Sequence, residues 1–167
     1  MSLREAIQYS LMVLLYLFLQ IFFMRNLVLF NYAFCFIYIA GVLLMPADID
    51  RMYLLLIAFA IGFTVDVFSN TFGMHAAATV LIAYLRPFLI HFQMKSKGAE
   101  RAEVGIRMQG LGAFISYIFP LILIHHAVLF FMEINHFGMI LYTLMRIGAS
   151  ALLTTLLVIL LELFSKR

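Results

Sequence analysis

What most constrains this chain is a repeated length: apolar runs of roughly 20 residues, the number a helix needs to cross a bilayer core of about 30 Å, recur with only short polar breaks between them. Six such runs fit, at 6–24, 27–45, 52–68, 72–92, 110–131 and 137–164. A backbone surrounded by hydrocarbon must satisfy its own hydrogen bonds, so runs of this length are expected to be helices. Of the 167 residues, 66% are hydrophobic and 11% charged, which leaves too little polar surface to coat a soluble globule of this size. The expected fold is all-α: a polytopic membrane protein with six transmembrane helices in a single transmembrane domain spanning residues 1–167.

The first run follows Arg4 as a signal peptide would, but no small-x-small cleavage site lies around 20–25, so it is expected to be retained as a helix. Cys35 is the single cysteine, inside the second run, and points to neither a disulfide nor a zinc site. A net charge of +3, clustered in a few places, is too small to suggest nucleic acid binding.

Orientation follows from the basic residues. With the amino terminus cytoplasmic, the inner set is Arg4, Arg51, Lys95, Lys97, Arg101, Arg107, Lys166 and Arg167, against Arg25 outside. Both termini are therefore expected in the cytoplasm. The stretch 93–109 is the one connection of real length, expected to be a solvated cytoplasmic loop that fixes topology and touches anionic lipid headgroups.

Three strong charges fall within the runs: Asp66, Arg86 and Arg146. Insertion of each is unfavourable by about 2.5–3.5 kcal/mol at mid-membrane and less toward the ends, so each needs a partner, water or snorkelling. Counting up from the inner end of the third run places Asp66 roughly 21 Å along, near the outer surface. Arg86 lies near the inner one, where it is expected to snorkel or to bond carbonyls freed by Pro87. The level of Asp66 is shared by His75 and reachable from Arg146, so the carboxylate is expected to be held by one or both. Gly62, Asp66 and Ser69 share a helical face. The run Ser69-Asn70-Thr71 offers helix-end hydrogen bonds, and Gly73 with Ala76, Ala77 and Ala78 allows close backbone packing at the start of the next helix.

His125 and His126 sit near the outer end of the fifth run, with Glu133 and His136 beyond. Neighbours on a helix point about 100° apart and the usual three- or four-residue ligand spacing is missing, so polar lining of an outward cavity or simple interfacial placement is expected there and no metal. No run holds a nucleophile beside a base, a zinc-protease pattern or a phosphate loop. The expectation is a non-enzymatic chain with no cofactor.

The run Ile61-Gly62-Phe63-Thr64-Val65-Asp66-Val67-Phe68-Ser69-Asn70, followed by Gly73-Met74-His75-Ala76 and by Ala83-Tyr84-Leu85, resembles the rod shape-determining protein MreD family. That family is marked by a glycine four residues before an aspartate late in one span, a short polar turn, and a glycine opening the next helix. The resemblance implies a multi-pass subunit of the bacterial cytoplasmic (inner) membrane in the elongation machinery, supporting peptidoglycan synthesis along the side wall. Its implied partners are MreC, through the membrane helix and adjacent periplasmic part, RodA with a class B penicillin-binding protein, MreB filaments indirectly, and membrane lipids. The family fold is similar to the membrane substrate-binding subunits of energy-coupling-factor transporters, which supplies the alternative: a vitamin-type small-molecule binding subunit. Such a subunit typically shows an alanine-x-x-x-alanine face on its first helix, whereas positions 7–23 here are bulky apart from Ser10. On the scaffold reading, Asp66, Ser69, Asn70 and His75 either shape the hairpin or form part of the docking site for MreC's membrane helix.

Overall fold

The computed structural model describes residues 3–97, 104–133 and 139–164. Five long helices dominate it: α1 (Leu3–Leu19, prolonged by a π-helical turn at Gln20–Met24), α3 (Arg51–Ser69), α4 (Met74–Lys97), α6 (Leu111–Glu133) and α7 (Ile140–Phe164), with single turns α2 (Ala40–Leu43) and α5 (Ile106–Gln109) between them. All five have the length and apolar composition of a bilayer span, which is the build of a multi-pass membrane protein. Local chemistry sets their ends. Asp50 opens α3 by accepting from the N–H groups of Met52 and Tyr53 at 2.8 and 3.3 Å. Asn70 closes it in the left-handed conformation, φ 55°.

The expected second helix does not form. Residues 27–45 contain a two-residue hairpin, Val28–Leu29 (β1) against Ala33–Phe34 (β2), then a 3-10 turn at Ile37–Ile39 and the single turn α2. The hairpin turns at Phe30 and Asn31, with φ of 52° and 61°, the paired positive values a primed hairpin turn requires. Hydropathy reports how apolar a stretch is, not its period, and this one is rich in β-branched and aromatic residues that favour extended backbone. Its irregular backbone survives because neighbouring helices bond it. Phe34 N–H donates to Ser150 Oγ (2.9 Å) and Phe36 N–H to Thr154 Oγ1 (3.2 Å), while Gln20 Nε2 donates to the Cys35 carbonyl (3.2 Å) and Tyr117 to that of Leu43 (2.8 Å). Non-helical backbone at membrane depth is tolerated under that condition.

Contacts order the elements by depth. Gln20 meets Cys35, and Gly41 lies against Val13, Tyr16 and Ile61, so the segment after the hairpin descends antiparallel to α1. Tyr38 touches His75 at the start of α4, and Met45 touches Arg86 about 16 Å further along that helix. Arg51, opening α3, stacks over Tyr84 of α4 at 4.5 Å, so α3 climbs back beside it. The core lies between this segment and α4, α6 and α7, where Tyr38, Leu43, Ile82, Phe114, Tyr117 and Leu121 are buried. Within the expected loop 93–109, α4 continues to Lys97 and α5 forms a turn; Arg101, His136, Lys166 and Arg167 lie outside the described residues.

Candidate functional site

The residues singled out around Asp66 form one joint between α3 and α4. Asp66 is 3% exposed, and its carboxylate accepts from Thr71 Oγ1 (2.5 Å), His75 N–H (3.1 Å) and Ala76 N–H (2.8 Å). The first N–H groups of a helix have no partner within it, so a carboxylate from α3 caps α4 and sits at the positive end of its dipole. The Asp66 carbonyl meanwhile accepts from the N–H groups of Asn70 and Thr71, which closes the turn. Gly62 makes the crossing possible: a Cβ there would lie 2.5 Å from Ala76 Cα and 2.7 Å from the His75 carbonyl oxygen. Gly73 has φ +81°, and its carbonyl starts the ladder by accepting from Ala77 N–H at 2.9 Å. Ser69 is the last residue of α3 and is not among the groups that hold the carboxylate.

Of the two expected partners of Asp66, His75 holds it and Arg146 does not. His75 reaches it through its main chain, while its imidazole Nδ1 faces the Tyr38 hydroxyl at 2.9 Å. Arg146 does not reach it. Its guanidinium bonds Glu133 at 3.0 Å and stacks over Phe34 and Phe130 at 4.7 and 4.4 Å, because α7 packs chiefly against α6 and β2.

A buried polar cluster lies inward of the joint. The Tyr38 hydroxyl is 2.9 Å from His75 Nδ1 and 2.7 Å from His125 Nε2, and all three side chains are buried. One phenol carries a single proton, so one imidazole accepts from it and the other donates to it. His126 turns the other way, to the Ile122 carbonyl (2.8 Å) and Thr154 Oγ1 (3.2 Å), as the angle between helical neighbours demands. Two imidazoles on one hydroxyl do not make a metal site, and no group of three or more His, Cys, Asp or Glu placed to hold an ion occurs among the described residues. Composition flagged the histidines; nothing in the sequence around Tyr38 signals that it joins them.

Arg86 completes the polar interior. Only 1% exposed, it neither snorkels nor bonds carbonyls freed by Pro87. Nε donates to the Tyr117 hydroxyl at 2.8 Å, and the terminal nitrogens to the carbonyls of Met45 and, at 3.3 Å, Pro46. Arg86 clamps the Met45–Pro46 end of the non-helical segment as Asp66 clamps the start of α4. Both charges thus bond main-chain atoms of other segments, and Tyr38, His125 and His126 are fully buried.

No protein-family model, no curated protein and no solved structure matches the chain.

Proposed function

We propose that this chain is a non-enzymatic, multi-pass subunit of the rod-shape elongation machinery of the bacterial cytoplasmic membrane, similar to the MreD family, with both termini cytoplasmic. In this role it binds MreC, works beside RodA and a class B penicillin-binding protein, and meets MreB filaments through them. The observation that carries the reading is the α3–α4 joint: the quoted residues Gly62, Asp66 and Gly73 each have a distinct task in one rigid, polar-tipped hairpin. Helix association in lipid gains nothing from the hydrophobic effect, so a protein that recognises membrane partners needs faces held in fixed shape.

Against the transporter alternative stands the packing of the bundle's outward half. The rings of Phe34, Phe36 and Tyr38 fill the space among His75, His125, His126 and Phe130, with Phe36 within 6.1 Å of each of those four rings, centroid to centroid.

The test is expression of the chain in rod-shaped bacteria depleted of their own MreD, together with detergent purification beside co-expressed MreC. Restored rod shape and a complex stable through gel filtration are the expected results. Retention of spherical cells with no recovered MreC, at normal chain level, overturns the reading.

A further inference from the structure

Counting protons in the buried Tyr38–His75–His125 cluster leaves one favoured arrangement. The Tyr38 hydroxyl lies 2.9 Å from His75 Nδ1 and 2.7 Å from His125 Nε2, and its one proton satisfies one of them. Given to His125, it would oblige that ring to carry its own proton on Nδ1, which is buried without a partner among the described residues. A buried N–H left unpaired is a rarer defect than an unpaired acceptor. The hydroxyl therefore donates to His75 Nδ1, and His125 donates to the hydroxyl from Nε2. Thr79 stands aside: its proton goes to the His75 carbonyl at 2.6 Å, and its oxygen is 3.4 Å from the phenol, beyond the O–H···O range of about 2.5–3.0 Å.

An additional proton has no place in this arrangement. On His75 it would occupy Nδ1, so two ring N–H groups would point at the phenol oxygen, and among the described residues the phenol's own proton would have no acceptor in reach. On His125 it would occupy the orphaned Nδ1. His75 is the favoured site, because that ring is 5% exposed whereas Tyr38 and His125 have no surface, and because the Asp66 carboxylate of α3 bonds the His75 main chain. His125 instead has His126 beside it on α6, with ring centroids 5.4 Å apart. The remaining charges are engaged or distant: Arg146 of α7 is paired with Glu133 of α6, and Arg86 lies about 16 Å along α4 from His75. Cys35, in the same segment as Tyr38, is a thiol that stays neutral at acid pH, and α1 meets the segment through the uncharged Gln20.

We infer that this cluster is a proton-sensitive clasp: uptake of a proton by His75 breaks the bridge through Tyr38 and loosens the non-helical segment from α4 and α6. The clasp is closed when the rings are neutral and opens as pH falls through the range of about 8 to 5 in which imidazole changes charge. On the topology proposed above His75 lies at the outer end of α4, so the acid that opens it is outside the cell.

Cys35 reads the segment, being 1% exposed and bonded through its carbonyl to Gln20. Its labelling by a maleimide is followed in the detergent-purified full chain from about pH 8 to about pH 5. Each rate is divided by that of His75→Asn at the same pH, so that the thiol's own ionisation cancels; asparagine keeps a neutral hydrogen-bonding atom near the position of Nδ1 and does not titrate. The ratio is expected to be close to unity at the alkaline end and to rise roughly tenfold at the acid end, the size of losing one or two hydrogen bonds. Tyr38→Phe, which has no bridge to break, is expected to label fast at both ends with no acid response. Nitrogen-15 NMR of the histidine rings is expected to show His75 and His125 both protonated on Nε2 at the alkaline end, and His75 doubly protonated at the acid end.

A ratio that stays flat, or a His75 ring still neutral at the acid end, overturns the clasp. A His125 ring protonated on Nδ1 at the alkaline end overturns the direction assigned to the hydroxyl proton. An acid response of equal size in Tyr38→Phe places the sensor elsewhere and overturns the role of the bridge. If His75→Asn does not accumulate, the rates are divided by those of Tyr38→Phe, and the ratio is expected to climb from well below unity toward it; a flat ratio again overturns the clasp.

Discussion

Asp66 and Arg86 are both buried charges in apolar helices, at 3% and 1% exposure, and each is stabilised by main-chain atoms of another segment rather than by an opposite charge. Hydrogen bonds to a charged group contribute about 1.5–3 kcal/mol each, so two or three of them offset the insertion penalty of a single residue. Because Arg146 is engaged elsewhere, reversing both charges (Asp66→Arg with Arg146→Asp) is expected to rescue neither single variant. A double-mutant cycle on Asp66→Asn and Arg146→Gln is expected to add within about 0.5 kcal/mol in thermal unfolding of the purified protein; coupling well above that would restore the pairing. Gly62 gives a sharper expectation. Its missing Cβ would strike α4 backbone, which cannot rotate away, so Gly62→Ala is expected to destabilise by at least the roughly 1–3 kcal/mol of an overpacked core. The same change at Gly112, where a Cβ meets nothing within 4 Å, is expected to stay within about 0.5 kcal/mol of wild type.

At the scale of elements, the helices with lipid on one side were legible because length and apolar content are all that a span requires. The segment 27–45 was not, since its secondary structure depends on Ser150, Thr154, Tyr117 and Arg86, far along the chain from it. The same separation explains the reading of the site. Gly62, Asp66 and Gly73 lie close together in sequence, within 62–73, and could be assembled from spacing, whereas Tyr38 meets His75 and His125 only through tertiary packing. A segment fastened by side chains should loosen when they are removed, and Cys35, 1% exposed and the single thiol, reports it. Ser150→Ala removes the hydrogen bond to Phe34, a loss of about 1 kcal/mol, and is expected to speed Cys35 labelling by a membrane-permeant maleimide about fivefold. Arg86→Met, which frees both inner carbonyls, is expected to speed it further. Unchanged labelling in both variants would mean that the segment is held by packing alone.

For the whole molecule, the decisive question is how many times the chain crosses. Five helices alone would leave the termini on opposite faces, but the segment after the hairpin passes from the level of His75, through Tyr38, to the level of Arg86, at Met45. Its irregular backbone descends alongside roughly three turns of α4, and on the reading proposed above it completes a crossing without being a helix. Arg51 then begins α3 beside Tyr84 and Phe88, toward the end of α4 where the chain has just arrived. The topology proposed above has six crossings, which would return the carboxyl terminus to the face of the amino terminus, the side that the basic residues favour as cytoplasmic. Reporter fusions at the two ends, one active only in the cytoplasm and one only outside, are therefore expected to agree on the inside. Opposite locations would make residues 27–45 a re-entrant loop, and α3 would then run down through the membrane, carrying Asp66 to the cytoplasmic end.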